Sequence, residues 1–403
     1  MIEIFLATLL MVVLILALAL IVLTARNVLQ PARPVTVRVN GRTEIEGVTG
    51  QKLLDFLKVG GIPMPSGCAG AGTCGLCRAE VEGAGPPLPT ETSLLGRAAI
   101  AEGERLTCQV MVRGPLSVRV PEDILSAETF ECEVVSNRAL APLIKELVLK
   151  VPETTSFNFT AGEFAQLTAP AYTLDFAEID AGDHAAAWEK RGLRKLSARS
   201  GETVTRAYSI ANRPEDEGLL VFNIRLALPP PHRPELPPGV VSSYLFGLEQ
   251  GDRLEVAGPY GTFRVRDSDR EIVLIGGGVG MAPLRAIAHD QLSRNPERRL
   301  SYWYGARSLE DLFYDEEFRA LDKAHDTFSW TVALSDPAPD DKWTGETGFI
   351  HEVVLEKYLS THPAPENCDY YLCGPPLMMR AVTAMLDDLG VEPETVFFDD
   401  FAS

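Results

Sequence analysis

Residues Ile272–Pro283 read IVLIGGGVGMAP: four apolar residues, a cluster of glycines, then the start of a helical pattern. A short apolar run bounded by turn residues is consistent with a buried parallel strand. The glycines let the backbone turn tightly, and a helix that begins there aims its free N–H groups at a pyrophosphate. The spacing is not the G-x-G-x-x-G of the dinucleotide fingerprint, so the stretch predicts a phosphate-binding strand–turn–helix of another kind. Downstream, SYWYGAR at 301–307, TFSWTVALS at 327–335 and DYYLCG at 369–374 alternate with helix-like runs. That alternation predicts an α/β doubly wound domain over 269–403.

Upstream the period changes. Between Phe130 and Val265 the short runs ECEVV, KELVLKV, EFAQLTA, LLVFNIRLA and RLEVAG are bounded by Gly, Pro and Asn. Regular short strands of this type predict an antiparallel barrel or sandwich over 129–268, and the resemblance given below implies the β-barrel. Two segments interrupt it, Tyr172–Val204 and PPPHRPELPP at 229–238, expected as solvated loops or as docking sites for partner subunits.

Further upstream lie four of the seven cysteines: Cys68, Cys74 and Cys77 in SGCAGAGTCGLCR, and Cys108 in RLTCQV. Four thiolates are what a 2Fe-2S cluster needs, and the small residues between them let backbone N–H groups turn toward the sulfurs. Structural zinc is the alternative, although only Cys74 and Cys77 form the C-x2-C knuckle that zinc sites usually show twice. Val35, Val37 and Val39 alternate ahead of the hairpin signal Asn40-Gly41, and Leu53, Leu54 and Leu57 share a helical face. Residues 33–128 therefore read as a small α+β domain.

Residues Ile4–Leu23 hold no charge, and twenty helical residues match a hydrocarbon core of about 30 Å. The sequence predicts a transmembrane anchor within 1–26, in contact with the lipid bilayer through 4–23. Arg26, Arg33, Arg38 and Arg42 follow the run and no cation precedes it, which places the remainder on the cytoplasmic side. A reducing compartment disfavours disulfides. The 403 residues carry 37 Lys+Arg against 56 Asp+Glu, net −19, which argues against nucleic acid as a partner. The six histidines show no i, i+4 pair, and neither a G-x-S-x-G elbow nor a P-loop is present.

Several motifs carry a resemblance. The cysteine segment resembles a β-grasp ferredoxin, with the C-x5-C-x2-C spacing of the adrenodoxin type. Arg206-Ala207-Tyr208-Ser209 resembles the R-x-Y-S/T signature of the ferredoxin reductase superfamily. That resemblance implies that Arg206 pairs with a flavin pyrophosphate, Tyr208 packs on the flavin and Ser209 bonds its N5. Gly239, Val241, Ser242 and Ser243 resemble the family's second element, a helix start that receives the pyrophosphate. Gly276, Gly277, Gly278, Gly280 and Met281 resemble its GGxGxTP turn, and Tyr304 to Arg307 with Cys373-Gly374-Pro375 its NAD(P) half. The resemblance puts Cys373 beside the nicotinamide and makes Phe401 the terminal aromatic that covers the flavin. Glu310 and Asp311 follow the strand where an adenosine ribose is expected, and acids there favour NADH over NADPH.

The chain as a whole, with RAYSIAN, PPGVVSSY, IGGGVGMAP, SYWYGARS, YLCGPP and the closing FDDF, resembles the F-subunit family of the Na+-translocating NADH:quinone oxidoreductases. The resemblance implies an NADH-oxidising input module that uses FAD and a 2Fe-2S cluster. It implies a single-pass position in the bacterial inner membrane with cytoplasmic domains, passing electrons to partner subunits for ubiquinone reduction and Na+ export. One span without intramembrane charge offers no ion path, so pumping would belong to the partners. The competing readings are a reductase component of an oxygenase and a membrane-tethered electron carrier without enzymatic activity.

Overall fold

The computed structural model describes residues 9–21, 32–68, 70–125, 127–230 and 232–399. Residues 9–21 form helix α1, whose leucines, valines and isoleucines are exposed. Among the described residues no helix is long and apolar enough to cross a membrane. The expected span at 4–23 is thus not supported there, and its residues 4–8 and 22–23 lie outside the described residues.

The chain divides into two compact units, Met1–Met64 with Gly70–Leu125, and Pro65–Ala69 with Ser126–Ser403. In the first, β1 (Pro34–Val39) and β2 (Thr43–Val48) pair as a hairpin. Asn40 and Gly41 take φ of 50° and 68°, the left-handed conformation that makes these two residues a turn signal. Then come α2 (Leu53–Val59), β3 (Arg78–Glu82), α3 (Pro89–Ala101), β4 (Glu104–Leu106), β5 (Leu116–Arg119) and α4 (Glu122–Leu125). The sheet order β2-β1-β5-β3-β4, with β1 parallel to β5, is that of a β-grasp. Helix α2 buries Leu53, Phe56 and Leu57, whereas Leu54 packs against Cys77, Leu106 and Cys108.

Strand β4, which leads into Cys108, is fixed by a buried ion pair. The Arg105 Nε and Nη2 donate to the two Glu91 oxygens at 2.9 and 2.8 Å, and the Leu88 and Leu106 amides donate at 2.8 and 3.1 Å. Burial raises the Glu91 carboxyl pKa, but Arg105 and the two amides outweigh it and hold the group below the usual carboxylate range.

The second unit begins with a barrel. Strands β6 (Glu128–Ala141), β7 (Ile144–Lys150), β8 (Phe164–Ala169), β11 (Val204–Ser209), β12 (Leu219–Arg225) and β13 (Arg253–Tyr260) pair antiparallel in the order β11-β8-β13-β6-β7-β12. An Ile210–Phe222 bridge closes the ring. The segment Tyr172–Val204 is not merely a solvated loop. It forms a second hairpin, β9 (Tyr172–Asp175) with β10 (Ser197–Ser200), and a helix α5 (Ala185–Lys190) whose Trp188 is 1% exposed in the barrel core. Helix α6 (Val240–Gly247) follows the proline-rich segment 229–238, which is irregular where described.

The rest is a parallel sheet: β14 (Ile272–Gly277), β15 (Leu300–Ala306), β16 (Phe328–Leu334), β17 (Glu346–Thr347), β18 (Asp369–Cys373) and β19 (Val396–Asp399), ordered β17-β16-β15-β14-β18-β19. Helices α7 (Met281–Arg294), α8 (Asp315–Ala324), α9 (Ile350–Lys357) and α10 (Pro376–Asp388) connect the strands, and every residue of β14 is buried. Barrel and sheet pack as one unit. Arg285 donates to Glu317 at 2.7 and 3.1 Å and to the Ala211 carbonyl at 2.8 Å, and lies over the Tyr314 ring. The Tyr314 hydroxyl donates to Glu146 and accepts from Asn223 at 2.9 Å, both on the barrel.

Two expected outcomes follow from these networks. Glu91→Ala leaves Arg105 buried without its partner and should cost about 3–5 kcal/mol, read as a lower urea midpoint for the first unit. Burial raises the Glu317 pKa, but His289 and Arg285 together bring it to about 2 from 4.5. A depressed carboxyl stabilises the fold above its unfolded value and loses that contribution as pH falls toward its folded one. On the order of 3 kcal/mol should therefore disappear as pH falls from 4.5 toward 2, and Glu317→Gln should flatten the dependence in pH-resolved denaturation.

Candidate active site

Strand β14 has β15 on one side and β18 on the other, so the strand order reverses beside it. In doubly wound sheets the crevice at the carboxyl ends of such strands is the ligand site. The turn Gly278–Gly280 between β14 and α7 is held there by close backbone contact. A Cβ on Gly280 would run into the Cys373 carbonyl and the Gly374 nitrogen, whereas one on Gly278, at φ +55°, would meet nothing within 4 Å. The turn thus locks onto β18 on one side and stays open on the other. Tyr304 holds it from below, its hydroxyl donating to the Gly278 carbonyl at 3.0 Å, and Met281 is buried under it.

A cleft of about 1050 Å³ opens above the turn, and Gly277, Gly278, Tyr304, Arg307 and Pro375 line it as expected. Lys190 and Arg191, at the end of α5, line it as well. Arg191 pairs with Glu310 at 3.0 Å and Arg307 with Asp336 at 3.0 Å.

The buried Ser209 lies at the end of β11, and its hydroxyl donates to the Asp399 carboxylate at 2.7 Å. Asp399 is the register partner of Cys373 across the β18–β19 pair. Ser209, Asp399 and Cys373 therefore converge where the barrel meets the carboxyl edge of the sheet. Asp399 escaped sequence reasoning, although the acid beside a terminal aromatic in FDDF was a signal. Phe401 lies outside the described residues.

Around the corner, Arg206 is half-buried, donates to the Thr205 carbonyl at 3.0 Å and makes no ion pair among the described residues. Ala207 pairs with Gln166 in the β11–β8 ladder. Tyr208 packs against the barrel core, and burial pushes its hydroxyl pKa up. The α6 start is packed against the barrel. Val241 and Ser243 are buried in the barrel, and the Ser242 hydroxyl accepts from the Ala227 amide and donates to the Gly239 carbonyl, each at 3.2 Å. The Ser242 hydroxyl is thus engaged by the loop before the helix, and the first-turn amides of a helix have no intrahelical acceptor. At its other end α6 is capped by side chains that the sequence did not reveal. Asn137 donates to the Leu245 and Leu248 carbonyls and the buried Lys145 to the Phe246 carbonyl, all at 2.8 Å. Burial lowers the Lys145 pKa to about 8.

None of the seven cysteines is in a disulfide. Cys77 and Cys108 are each 1% exposed, and their thiols are hydrogen-bonded to one another. The Cys108 thiol first, and burial second, push the Cys77 pKa well above its usual value, so a pair of thiolates there needs a cation such as iron. Gly70, Gly72 and Gly75 all take positive φ, and the Gln109 side-chain amide donates to the Cys108 sulfur at 3.5 Å, a contact not foreseen from sequence. Cys74 is half-buried, and Cys68 is half-buried on Pro65–Ala69, which belongs to the other unit. Elsewhere Glu271, His362 and Cys368 bring ligand-type atoms within 4.8 Å. There the Ala364 amide donates to His362 Nδ1 at 3.3 Å, and the His362 Nε2 faces Glu271 at 3.4 Å. That is an internal hydrogen-bond network rather than a ligand set.

Comparison with known proteins follows this division. The family profile of the 2Fe-2S iron-sulfur cluster binding domain matches residues 37–113, that of the oxidoreductase FAD-binding domain 194–265, and that of the oxidoreductase NAD-binding domain 274–384. An Amycolatopsis cytochrome P450 reductase has a similar structure, with TM-score 0.65 and 26% identity over 92% of this chain and 100% of that one. The ferredoxin reductase in carbazole 1,9a-dioxygenase gives TM-score 0.59 and 26% identity over 92% and 99%. The F-subunit of the Na(+)-translocating NADH-quinone reductase of Marinomonas sp. is 47% identical over 99% of this chain and 98% of its own length. That of Serratia proteamaculans is 45% identical over 99% of both. With glycine turn, barrel motif and cysteines in the same chain order and near-complete mutual coverage, the chain belongs to the F-subunit family of the Na(+)-translocating NADH-quinone reductases.

Proposed function

We propose that this chain is the NADH-oxidising electron-input subunit of a membrane Na+-translocating NADH:quinone reductase. The observation that carries the reading is the convergence of Ser209, Asp399 and Cys373 beside the glycine turn, where a barrel ligand and a sheet ligand would meet. When bound, FAD takes a hydride from NADH and returns its electrons singly, and the 2Fe-2S cluster passes each one on.

The residues divide the work. Arg206 and the first-turn amides of α6 would hold the FAD pyrophosphate, because the guanidinium is charged, half-buried and engaged by no carboxylate among the described residues. The turn at Gly278–Gly280 would hold the pyrophosphate of NADH at the start of α7. The buried Cys373 and Ser209 exclude water from the reacting edge, and Ser209 must turn from Asp399 to bond the flavin. Phe401 would cover the flavin. Cys74, Cys77 and Cys108, with Cys68, would hold the cluster. The proposed domains are an anchor at 1–26, a ferredoxin domain at 33–128, an FAD barrel at 129–268 and an NADH domain at 269–403. The uncharged run at 4–23 supports attachment to the inner membrane, with the domains on the cytoplasmic side and partner subunits reducing ubiquinone and exporting Na+.

The test is an anaerobic NADH titration of the full chain, followed by visible absorbance and low-temperature EPR. Flavin bleaching with a reduced 2Fe-2S signal is expected, and an unbleached flavin overturns the proposal. Cys108→Ala should abolish the EPR signal while NADH still bleaches the flavin. Arg206→Ala should weaken FAD binding about 10- to 100-fold, measured by flavin fluorescence on titration, as expected for losing a charge-assisted bond to phosphate.

A further inference from the structure

The segment Tyr172–Val204 has no task in the function above, yet it delivers cations to the dinucleotide cleft. Its helix α5 is pinned by Trp188, which is 1% exposed, donates to the Pro142 carbonyl at 2.6 Å and stacks against Phe246. Lys190 and Arg191 follow directly and so have a fixed place at the cleft wall. Arg191 pairs with Glu310 at 3.0 Å, across 119 residues of chain.

Glu310 lies just past the carboxyl end of β15, the strand after the glycine turn. In doubly wound dinucleotide sites that position meets the adenosine ribose. An acid there accepts from the 2′-hydroxyl of NAD, and an arginine there grips the 2′-phosphate of NADP. Both residue types are present here, bound to one another. Arg307 is occupied in the same manner by Asp336 at 3.0 Å. Lys190 is exposed and offers a hydrated point charge rather than a planar fork.

Resting on the NADH reading above, we propose that Glu310 rejects NADPH by keeping Arg191 engaged, so that the arginine contributed by the barrel insertion is unavailable to a 2′-phosphate. The insertion is then a specificity element, and the Arg191–Glu310 pair is its switch. Deleting the acid frees the fork, whereas deleting the arginine removes the phosphate receptor altogether.

The test uses the full, FAD-loaded chain with ferricyanide as acceptor, and compares NADH with NADPH. Glu310→Gln should lower the KM for NADPH about ten-fold, equivalent to a gain of about 1.4 kcal/mol. Arg191→Ala should leave NADPH as poor as before, and the double variant should lose the gain of Glu310→Gln. A gain that survives without Arg191, or no gain at all while the parent chain oxidises NADH, overturns the proposal. Failure of the parent chain to bleach with NADH overturns the functional reading itself.

Discussion

The close approach of the Gly280 backbone to the Cys373–Gly374 segment is the constraint on which the catalytic half depends. Two parallel strands end at the same height, and the first can turn into its helix only if nothing projects from residue 280. That contact places the first amides of α7 and the Cys373 edge within one strand spacing. The barrel then has to present Ser209 to the same point, which it does because Asn223, Glu146 and Ala211 are bonded to Tyr314 and Arg285 of the sheet. Loosening the seam would separate two half-sites that are each useless alone.

The cysteine-bearing unit follows a parallel logic with different chemistry. Its loop is built from left-handed glycines, which carry no side chains of their own to hold it. The surrounding order comes from Glu91 and Arg105 on one side and from Lys52 and Arg78, which donate to the Gly70 and Gly75 carbonyls at 2.9 and 2.8 Å, on the other. Charged side chains thus stiffen a segment whose own backbone is unusually free.

Much of this was legible in the sequence, and the reasons differ by element. The Asn40-Gly41 hairpin and the Ile272–Gly280 strand and turn are local: a two-residue conformational requirement and a run of glycines state their own geometry. The barrel was legible as alternation, but its closure through Ile210 and Phe222 was not, since pairing partners are not written locally. The insertion at 172–204 misled because its polarity masks one decisive tryptophan. Ser242 is a ligand candidate through the resemblance alone, and its bonds to Ala227 and Gly239 of the preceding loop are not written in the local sequence. Asp399 and Gln109 act through neighbours distant in sequence, or adjacent to a residue that drew all the attention. The amino-terminal run is legible by composition alone: its apolar residues fix how it would partition, and both of its ends lie outside the described residues.

Helix α6 is held by its tail. Three of its terminal carbonyls sit on donors that are themselves anchored in barrel strands, one of them an ammonium with almost no access to water. Sliding or tilting the helix would strip those carbonyls of their partners in a place where water cannot replace them. The first turn is therefore a fixed abutment rather than a closing clamp, and an anion that arrives there finds its amides already aligned. Little conformational entropy remains to be lost on binding, so a cofactor held this way is expected to stay through many turnovers rather than to exchange with each one.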